Sequence, residues 1–173
     1  IDVNQSKVFW KGSKVTGEHF GTIAVKEGYI DIDDNSIIGG TIIIDMKTIN
    51  VIDIKEEKWN KKLQNHLKSD DFFSVEKYPF ASFEIKNSYE FSIIENIAIE
   101  GDIKIKDKNI NITIPSAIYV DDLYAKSIGM VTIDRTQFGI IYGSGSFFED
   151  LADKMIHDNF IIKFNFLATR LNQ

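Results

Sequence analysis

The sequence contains no cysteine, and this absence excludes disulfide scaffolds, cysteine-ligated zinc and iron–sulfur sites, and thiol nucleophiles. Proline occurs only twice in 173 residues, which excludes a proline-rich or fibrous chain. No apolar run is long enough for a helix that spans a bilayer. The chain has 20 basic and 26 acidic residues and no basic cluster, so we expect no nucleic-acid partner.

Leucine is scarce, with 6 residues against 30 isoleucines. Isoleucine is β-branched and suits a pleated strand, whereas leucine is the better helix former. The 13 phenylalanines and 6 tyrosines favour strands in the same way. An AT-rich genome would also raise the isoleucine count, so periodicity is the stronger test. The length predicts a single domain over residues 1–173.

The clearest strand covers residues 97–105, where the isoleucines at 97, 99, 103 and 105 share one face and polar residues dominate the other. This period of two is typical of a strand with one dry face. After a polar turn at 106–109, the isoleucines at 110, 112 and 114 resume the pattern. The two segments therefore predict an antiparallel hairpin.

Similar alternation predicts further strands, for a total of about eight or nine. These strands cover residues 8–11, 22–26, 29–33, 41–46, 80–86, 123–134 and 160–168, with a turn at 27–28 between the second and the third.

Two segments have helical spacing instead. In residues 56–67, Trp59, Leu63, His66 and Leu67 fall on one stripe, and Asp53 with Glu56 predicts a capping box. Residues 146–152 begin with a Ser-x-x-Glu signature that predicts a second, short helix. Residues 69–73 predict one further turn.

The fold class is therefore all-β, with long antiparallel strands that form either a closed barrel or a sandwich. A barrel of about eight strands is wide enough to be filled by side chains or to hold one small ligand. Its apolar inner face could then form a packed core or an apolar tunnel. Periodicity does not choose between these two interiors.

Three segments resemble the YceI-like family of bacterial polyisoprenoid-binding proteins, in the family's order and spacing. They are residues 10–23, residues 66–79 and residues 133–143. The middle segment, His-Leu-Lys-Ser-Asp-Asp-Phe-Phe-Ser-Val-Glu-Lys-Tyr-Pro, is similar in full to the family's stretch. Residues 10–14 and 44–46 resemble the branch of the family that is common in Bacteroidetes.

This resemblance implies an extended, lipocalin-like antiparallel β-barrel with an internal apolar tunnel. It also implies an isoprenoid-tailed lipid as ligand, such as a quinone or a polyprenyl phosphate, and a periplasmic or secreted location after removal of a signal segment. Family members often pair, so a homodimer is a further expectation. No cofactor is expected apart from the bound lipid, and the expected function is binding, transport or storage of that lipid without catalysis.

With the resemblance, the inward apolar residues become candidates for lipid binding. The predicted lining residues are Ile23, Val25, Ile42, Ile44, Phe72, Phe83, Ile97, Ile99, Ile103, Ile105, Ile112, Ile114, Phe138, Phe164 and Phe166. Ordinary core packing is the alternative for any one of them.

Three residues are candidates for contact with the lipid head group. His19 lies between glycines in the first motif, Arg135 could clamp a diphosphate or a quinone carbonyl, and Tyr142 opens a Gly/Ser-rich loop. A structural histidine, and an ion pair of Arg135 with Asp45 or Asp134, are the alternatives. His66 is interpreted as an anchor of the helix, and His157 as a surface residue in a polar loop. The histidines lack the local spacing of a metal site, so no metal is expected.

Two other functions stay open from the sequence. An enzyme acting on such a lipid would use His19 as acid or base and Arg135 as anion clamp. A structural or interaction module would instead have a solid barrel core.

Overall fold

The computed structural model describes residues 1–33 and 36–171. Its strands are β1 (Lys7–Lys14), β2 (Gly17–Asp33), β3 (Ser36–Val51), β4 (Phe80–Glu90), β5 (Ile97–Ile105), β6 (Lys108–Val120), β7 (Tyr124–Asp134) and β8 (Ile156–Thr169). Each strand pairs with the next in an antiparallel ladder, and β1 pairs with β8. The eight strands therefore close a barrel, which confirms the all-β class and decides against the sandwich.

The helical content is smaller than the sequence predicts. One α-helix, α1 (Glu57–Lys68), and two 3-10 turns at Arg135–Phe138 and Ala152–Lys154 are present in the described residues. The predicted helix over 146–152 is wrong, because the Ser146 hydroxyl donates to Asp158 and caps no helix. The predicted capping box is also wrong: Glu56 makes no side-chain cap, and Asp53 binds His19 and the Phe20 amide instead.

The turn predicted at residues 27–28 is absent, because β2 continues through it for 17 residues. One of the register shifts against β3 falls between Val25 and Glu27, and the inward side changes from odd positions such as Ile23 to even positions such as Ile30. Gly28 makes this close pairing possible, since a Cβ at that position would meet the Thr41 carbonyl oxygen. A β-bulge rather than a turn therefore produces the break in alternation.

The barrel has two distinct ends. At the helix end, which we define by α1, Lys14 of β1 and Ile156 of β8, the helix packs on β3 and contributes Leu67 to the core. The far end holds the last residues of β2, the first residues of β3 and the start of β7, and its core contains Ile37, Ile85, Ile97 and Ile99. No helix in the described residues is long and apolar enough to cross a membrane.

Candidate functional site

The inner wall of the barrel encloses a cavity of about 400 Å³, within the range of roughly 300–1,000 Å³ that is typical of ligand pockets. Its lining includes Ile37 and Ala168 at the far end, Ile42 and Ile114 in the middle, and Ile156 at the helix end. The cavity thus follows the barrel from one end to the other. Side chains alternate along each strand, so one face of every strand points into the barrel. Most of the residues on this inner face are apolar, the charged side chains lie at the helix end, and the barrel is not solid.

Eleven of the fifteen predicted lining residues border this cavity. They are Ile23, Ile42, Ile44, Phe72, Phe83, Ile99, Ile103, Ile105, Ile114, Phe164 and Phe166. Contact of these residues with a lipid stays a prediction, and their position on the cavity wall is the one that such contact needs.

The other four, Val25, Ile97, Ile112 and Phe138, do not border the cavity. Val25 and Ile112 pack within the central cluster around Val8, and Ile97 packs in the far-end cluster. Phe138 is only 1% exposed, because its 3-10 turn places the ring in the core at the helix end. Alternation shows which way a residue faces, and does not show whether a neighbour stands between it and the cavity.

His19 borders the cavity at the helix end and is held by a carboxylate. Its Nδ1 lies 2.7 Å from Oδ2 of Asp53, whose other oxygen accepts a hydrogen bond from the Phe20 amide. A carboxylate on one ring nitrogen fixes the orientation of the imidazole and directs the other nitrogen away from it. This arrangement allows the head-group contact that the sequence predicts.

Arg135 is buried and uses all its donors within the protein. Nε donates to the carbonyl of His157, Nη1 to those of Ile140 and Tyr142, and Nη2 to Ile156 and the Asp158 carboxylate. A guanidinium has five N–H groups, so none is left for a head group. The geometry therefore favours the ion-pair alternative, with Asp158 as the partner rather than Asp45 or Asp134.

The surroundings of this pair shift both titrations. Burial lowers the pKa of the Arg135 guanidinium, against the opposing effect of Asp158 and Asp134. Burial alone would raise the pKa of Asp158, but the hydroxyls of Ser146 and Ser144 and the charge of Arg135 hold it below its usual value. Asp158 is therefore ionised at neutral pH and serves as a counter-ion.

Tyr142 does not border the cavity and is 45% exposed. Its ring packs edge-to-face on His66, at 4.7 Å between centroids, and lies 5.7 Å from Phe72. His66 in turn contacts Phe72 at 4.9 Å and borders the cavity with Leu63 and Leu67. His66 thus joins the helix to the barrel, as predicted, while Trp59 of the predicted stripe is exposed.

The structure brings together polar residues that sequence reasoning missed. His157 lies on β8 rather than in a polar loop, with Nδ1 2.8 Å from the Ser13 hydroxyl. It borders the helix end of the cavity together with Lys14 and Asn159. All three histidines therefore line one cavity, although they are dozens of residues apart in sequence and no local pattern could have joined them. Residues 1–33 and 36–171 contain no group of three or more His, Asp or Glu side chains that could hold a metal ion.

Comparison with known proteins decides the family. The sequence profile of the YceI-like domain matches residues 1–168, almost the whole chain. The chain belongs to the YceI-like family. This finding confirms the resemblance that the three motifs carried. A search of the curated proteins found no match.

Solved structures similar to this YceI-like chain confirm its fold. Burkholderia cenocepacia BcnA has 20% sequence identity and a TM-score of 0.74, over 98% of this chain and 99% of the other. A polyisoprenoid binding domain from Saccharophagus degradans, implicated in plant cell wall breakdown, has 11% identity and a TM-score of 0.68, over 98% and 97% of the two chains. The Campylobacter jejuni YceI protein has 20% identity and a TM-score of 0.64, over 86% and 84%.

Proposed function

We propose that this protein binds an isoprenoid-tailed lipid in the barrel cavity and carries or stores it without chemical change. The observation that carries the proposal is one apolar cavity that follows the barrel between its two ends. The similar domain from Saccharophagus degradans, which is described as polyisoprenoid binding, supports the same ligand class.

Binding is driven by transfer of the insoluble tail from water into the apolar cavity. Each buried CH₂ unit gains about 0.8 kcal/mol, so a tail of many carbons gains far more than binding requires. Ordering the flexible tail and immobilising the lipid remove much of this gain. Affinity therefore rises with tail length until the cavity is filled, and selectivity among tails of similar length is weak.

The setting of this function follows the family expectation. We propose a periplasmic carrier that shields the lipid while it is away from a membrane. A homodimer stays a prediction.

An enzyme acting on the same lipid is the second candidate, and the pair of His19 with Asp53 favours it, since this arrangement can orient a general acid or base. The anion clamp that such an enzyme would need finds no support, because every Arg135 donor is engaged. Turnover of a prenyl lipid that is lost in His19→Ala, with tail binding intact, would establish the enzyme instead.

Trp10 provides a direct assay of binding. It borders the cavity, and its indole Nε1 donates to the Asn50 carbonyl at 3.2 Å, whereas Trp59 is 47% exposed on α1. In the Trp59→Phe variant, emission from Trp10 should change when a prenol is added to delipidated protein. In a series of prenols of increasing length, the concentration that gives half-saturation should fall as the tail becomes longer. Native mass spectrometry of protein purified without detergent should show a bound lipid. The proposal fails if no lipid is retained and no prenol changes the emission.

A further inference from the structure

Ser127 places a hydroxyl group on the inner wall of β7 at the far end of the barrel. The same inward face of β7 carries Ala125, Val131 and Ile133, which also border the cavity. Ser127 pairs with Ile118 of β6 and Phe166 of β8. Its environment is therefore the apolar wall of the cavity, and the residue is only 7% exposed.

The Ser127 hydroxyl has no hydrogen-bond partner, and no other buried side-chain polar atom in the described part of the chain shares this property. Nearby buried serines are satisfied: Ser116 donates to the Ile114 carbonyl, and Ser6 both donates to and accepts from the backbone of Leu167. A buried hydroxyl without a partner is costly, and alanine would fit the same space without that cost. A group on the ligand would explain why a hydroxyl stands here.

Within the described residues, the wall near Ser127 has no cationic side chain that could hold an anion. The lysine, arginine and histidine side chains on the cavity wall, which are Lys14, His19, His66, Arg135 and His157, all lie at the helix end. At the far end the wall near Ser127 consists of residues such as Ala125, Ala168, Ile37 and Ile85. The α-amino group of Ile1, which also borders the cavity, donates to the Gly28 carbonyl at 2.8 Å. Burying a phosphate on a wall without cationic side chains is strongly unfavourable.

Aromatic residues beside Ser127 complete the site. Phe166 lies directly opposite Ser127 in the β7–β8 ladder and stacks on Phe164, with 4.6 Å between ring centroids and 16° between ring planes. Both rings border the cavity. The Ser127 oxygen itself is covered by its neighbours in the ligand-free barrel, so a rotation about the Cα–Cβ bond has to turn it toward a ligand that lies along these apolar surfaces.

We propose that Ser127 donates a hydrogen bond to a neutral oxygen of the bound lipid, so that the oxygen-bearing end of the lipid lies inside the far end of the barrel. This inference rests on the proposed function and narrows its ligand class. The ligand is a prenyl lipid with a ketone carbonyl, as in a quinone ring, or with a free hydroxyl, as in a prenol. A polyprenyl phosphate is disfavoured, since its charge would have to lie elsewhere.

The test compares wild type with Ser127→Ala against four probes that share one prenyl tail: the hydrocarbon, the alcohol, the benzoquinone and the phosphate. Loss of one neutral hydrogen bond predicts a fall of about 3- to 10-fold in affinity for the alcohol or the quinone. Hydrocarbon affinity should stay the same or rise. The probe that loses affinity identifies the oxygen source.

Ser116→Ala is the matched control, because Ser116 is buried at the same end, does not border the cavity and has its hydrogen bond inside the protein. Ser116→Ala should lower the thermal midpoint and leave the ratio of oxygenated-probe to hydrocarbon affinity unchanged. Ser127→Ala should change that ratio without lowering the midpoint of the lipid-free protein.

Infrared spectroscopy gives a second readout for a quinone. When a quinone with an isotope-labelled carbonyl is bound to wild type, hydrogen bonding should lower the frequency of its carbonyl stretching band. In Ser127→Ala the band should return to the frequency of a carbonyl without a hydrogen bond. If the quinone affinity is unaffected by Ser127→Ala and the carbonyl band does not move, Ser127 does not bind a quinone oxygen.

The two levels of the proposal fail differently. Binding of no probe by the wild-type protein would remove the proposed function itself. Equal effects of Ser127→Ala on hydrocarbon, alcohol and quinone, or tightest binding of the phosphate without dependence on Ser127, would overturn the inference and leave prenyl-lipid binding intact.

Discussion

Arg135 and Asp158 form an ion pair at the helix end of the barrel, with 3.3 Å between Nη2 and Oδ1. Arg135 also donates to the carbonyls of Ile140, Tyr142, Ile156 and His157. The Arg135 side chain therefore links the end of β7, the loop that follows it and the start of β8 by hydrogen bonds. This explains why an arginine is buried beside an apolar cavity that it does not serve.

Replacing Arg135 should be strongly destabilising. Arg135→Met leaves the Asp158 charge and four carbonyl groups without their donor, and we expect a loss of about 3–5 kcal/mol in the free energy of unfolding. Arg135→Lys keeps the positive charge but has fewer hydrogen-bond donors, so its loss in the free energy of unfolding should be smaller. Urea unfolding measures both variants, with exposed Arg170→Met as the control. A loss below about 1 kcal/mol for Arg135→Met would contradict the structural role.

Acid should weaken the ion pair of Arg135 with Asp158 by protonating the Asp158 carboxylate. Its pKa is lower in the folded protein than the unfolded value of about 3.9, so the folded state binds fewer protons and the stabilisation is fully present above that value. The stabilisation is lost as the pH falls from about 4 through the folded pKa. The stability difference between wild type and Asp158→Asn should therefore be large at neutral pH and shrink in acid, as urea midpoints along a pH series would show.

Asp153→Asn removes one exposed carboxylate nearby and serves as the charge control. A wild-type advantage over Asp158→Asn that persists unchanged to the lowest pH would show that the carboxylate charge contributes nothing.

The cavity predicts different responses at two inward positions of β5. Ile103 borders the cavity, so Ile103→Trp should fill part of it, weaken prenol binding at least about 10-fold and change stability by less than about 1 kcal/mol. Ile97 is buried without bordering the cavity, so Ile97→Trp should cost about 1–3 kcal/mol by overpacking. Thermal unfolding and prenol titration test both, and equal destabilisation would argue for a filled interior.

Gly129 should not tolerate a side chain. A Cβ at this position would overlap the Phe164 ring and the Ser116 hydroxyl, so we expect Gly129→Ala to cost about 1–3 kcal/mol. At Gly12 no atom lies within 4 Å of the position that a Cβ would take, and Gly12→Ala should be neutral or stabilising through the unfolded state. Differential scanning calorimetry of the two variants distinguishes these outcomes, and a tolerated Gly129→Ala would show that the Phe164 ring can move freely.

Much of the fold could be predicted from local pattern. The alternation over residues 97–105 and 110–114 corresponds to β5 and β6, and the helical stripe at 56–67 corresponds to α1 within one residue at each end. These predictions succeed because strand and helix periods are local properties of the chain. The turn predicted at residues 27–28 failed because a bulge and a turn interrupt alternation in the same way, and only pairing with β3 distinguishes them.

The candidate site could be predicted only in part, because it depends on distances across the barrel. Alternation determined which isoleucines and phenylalanines face inward, and eleven of the fifteen predicted lining residues border the cavity. It could not determine whether opposite walls touch, since strand number and stagger set the diameter. The tertiary structure alone decided that the walls stand apart, that His19, His66 and His157 meet at one end, and that Ser127 is left without a partner, because each of these facts joins segments distant in sequence.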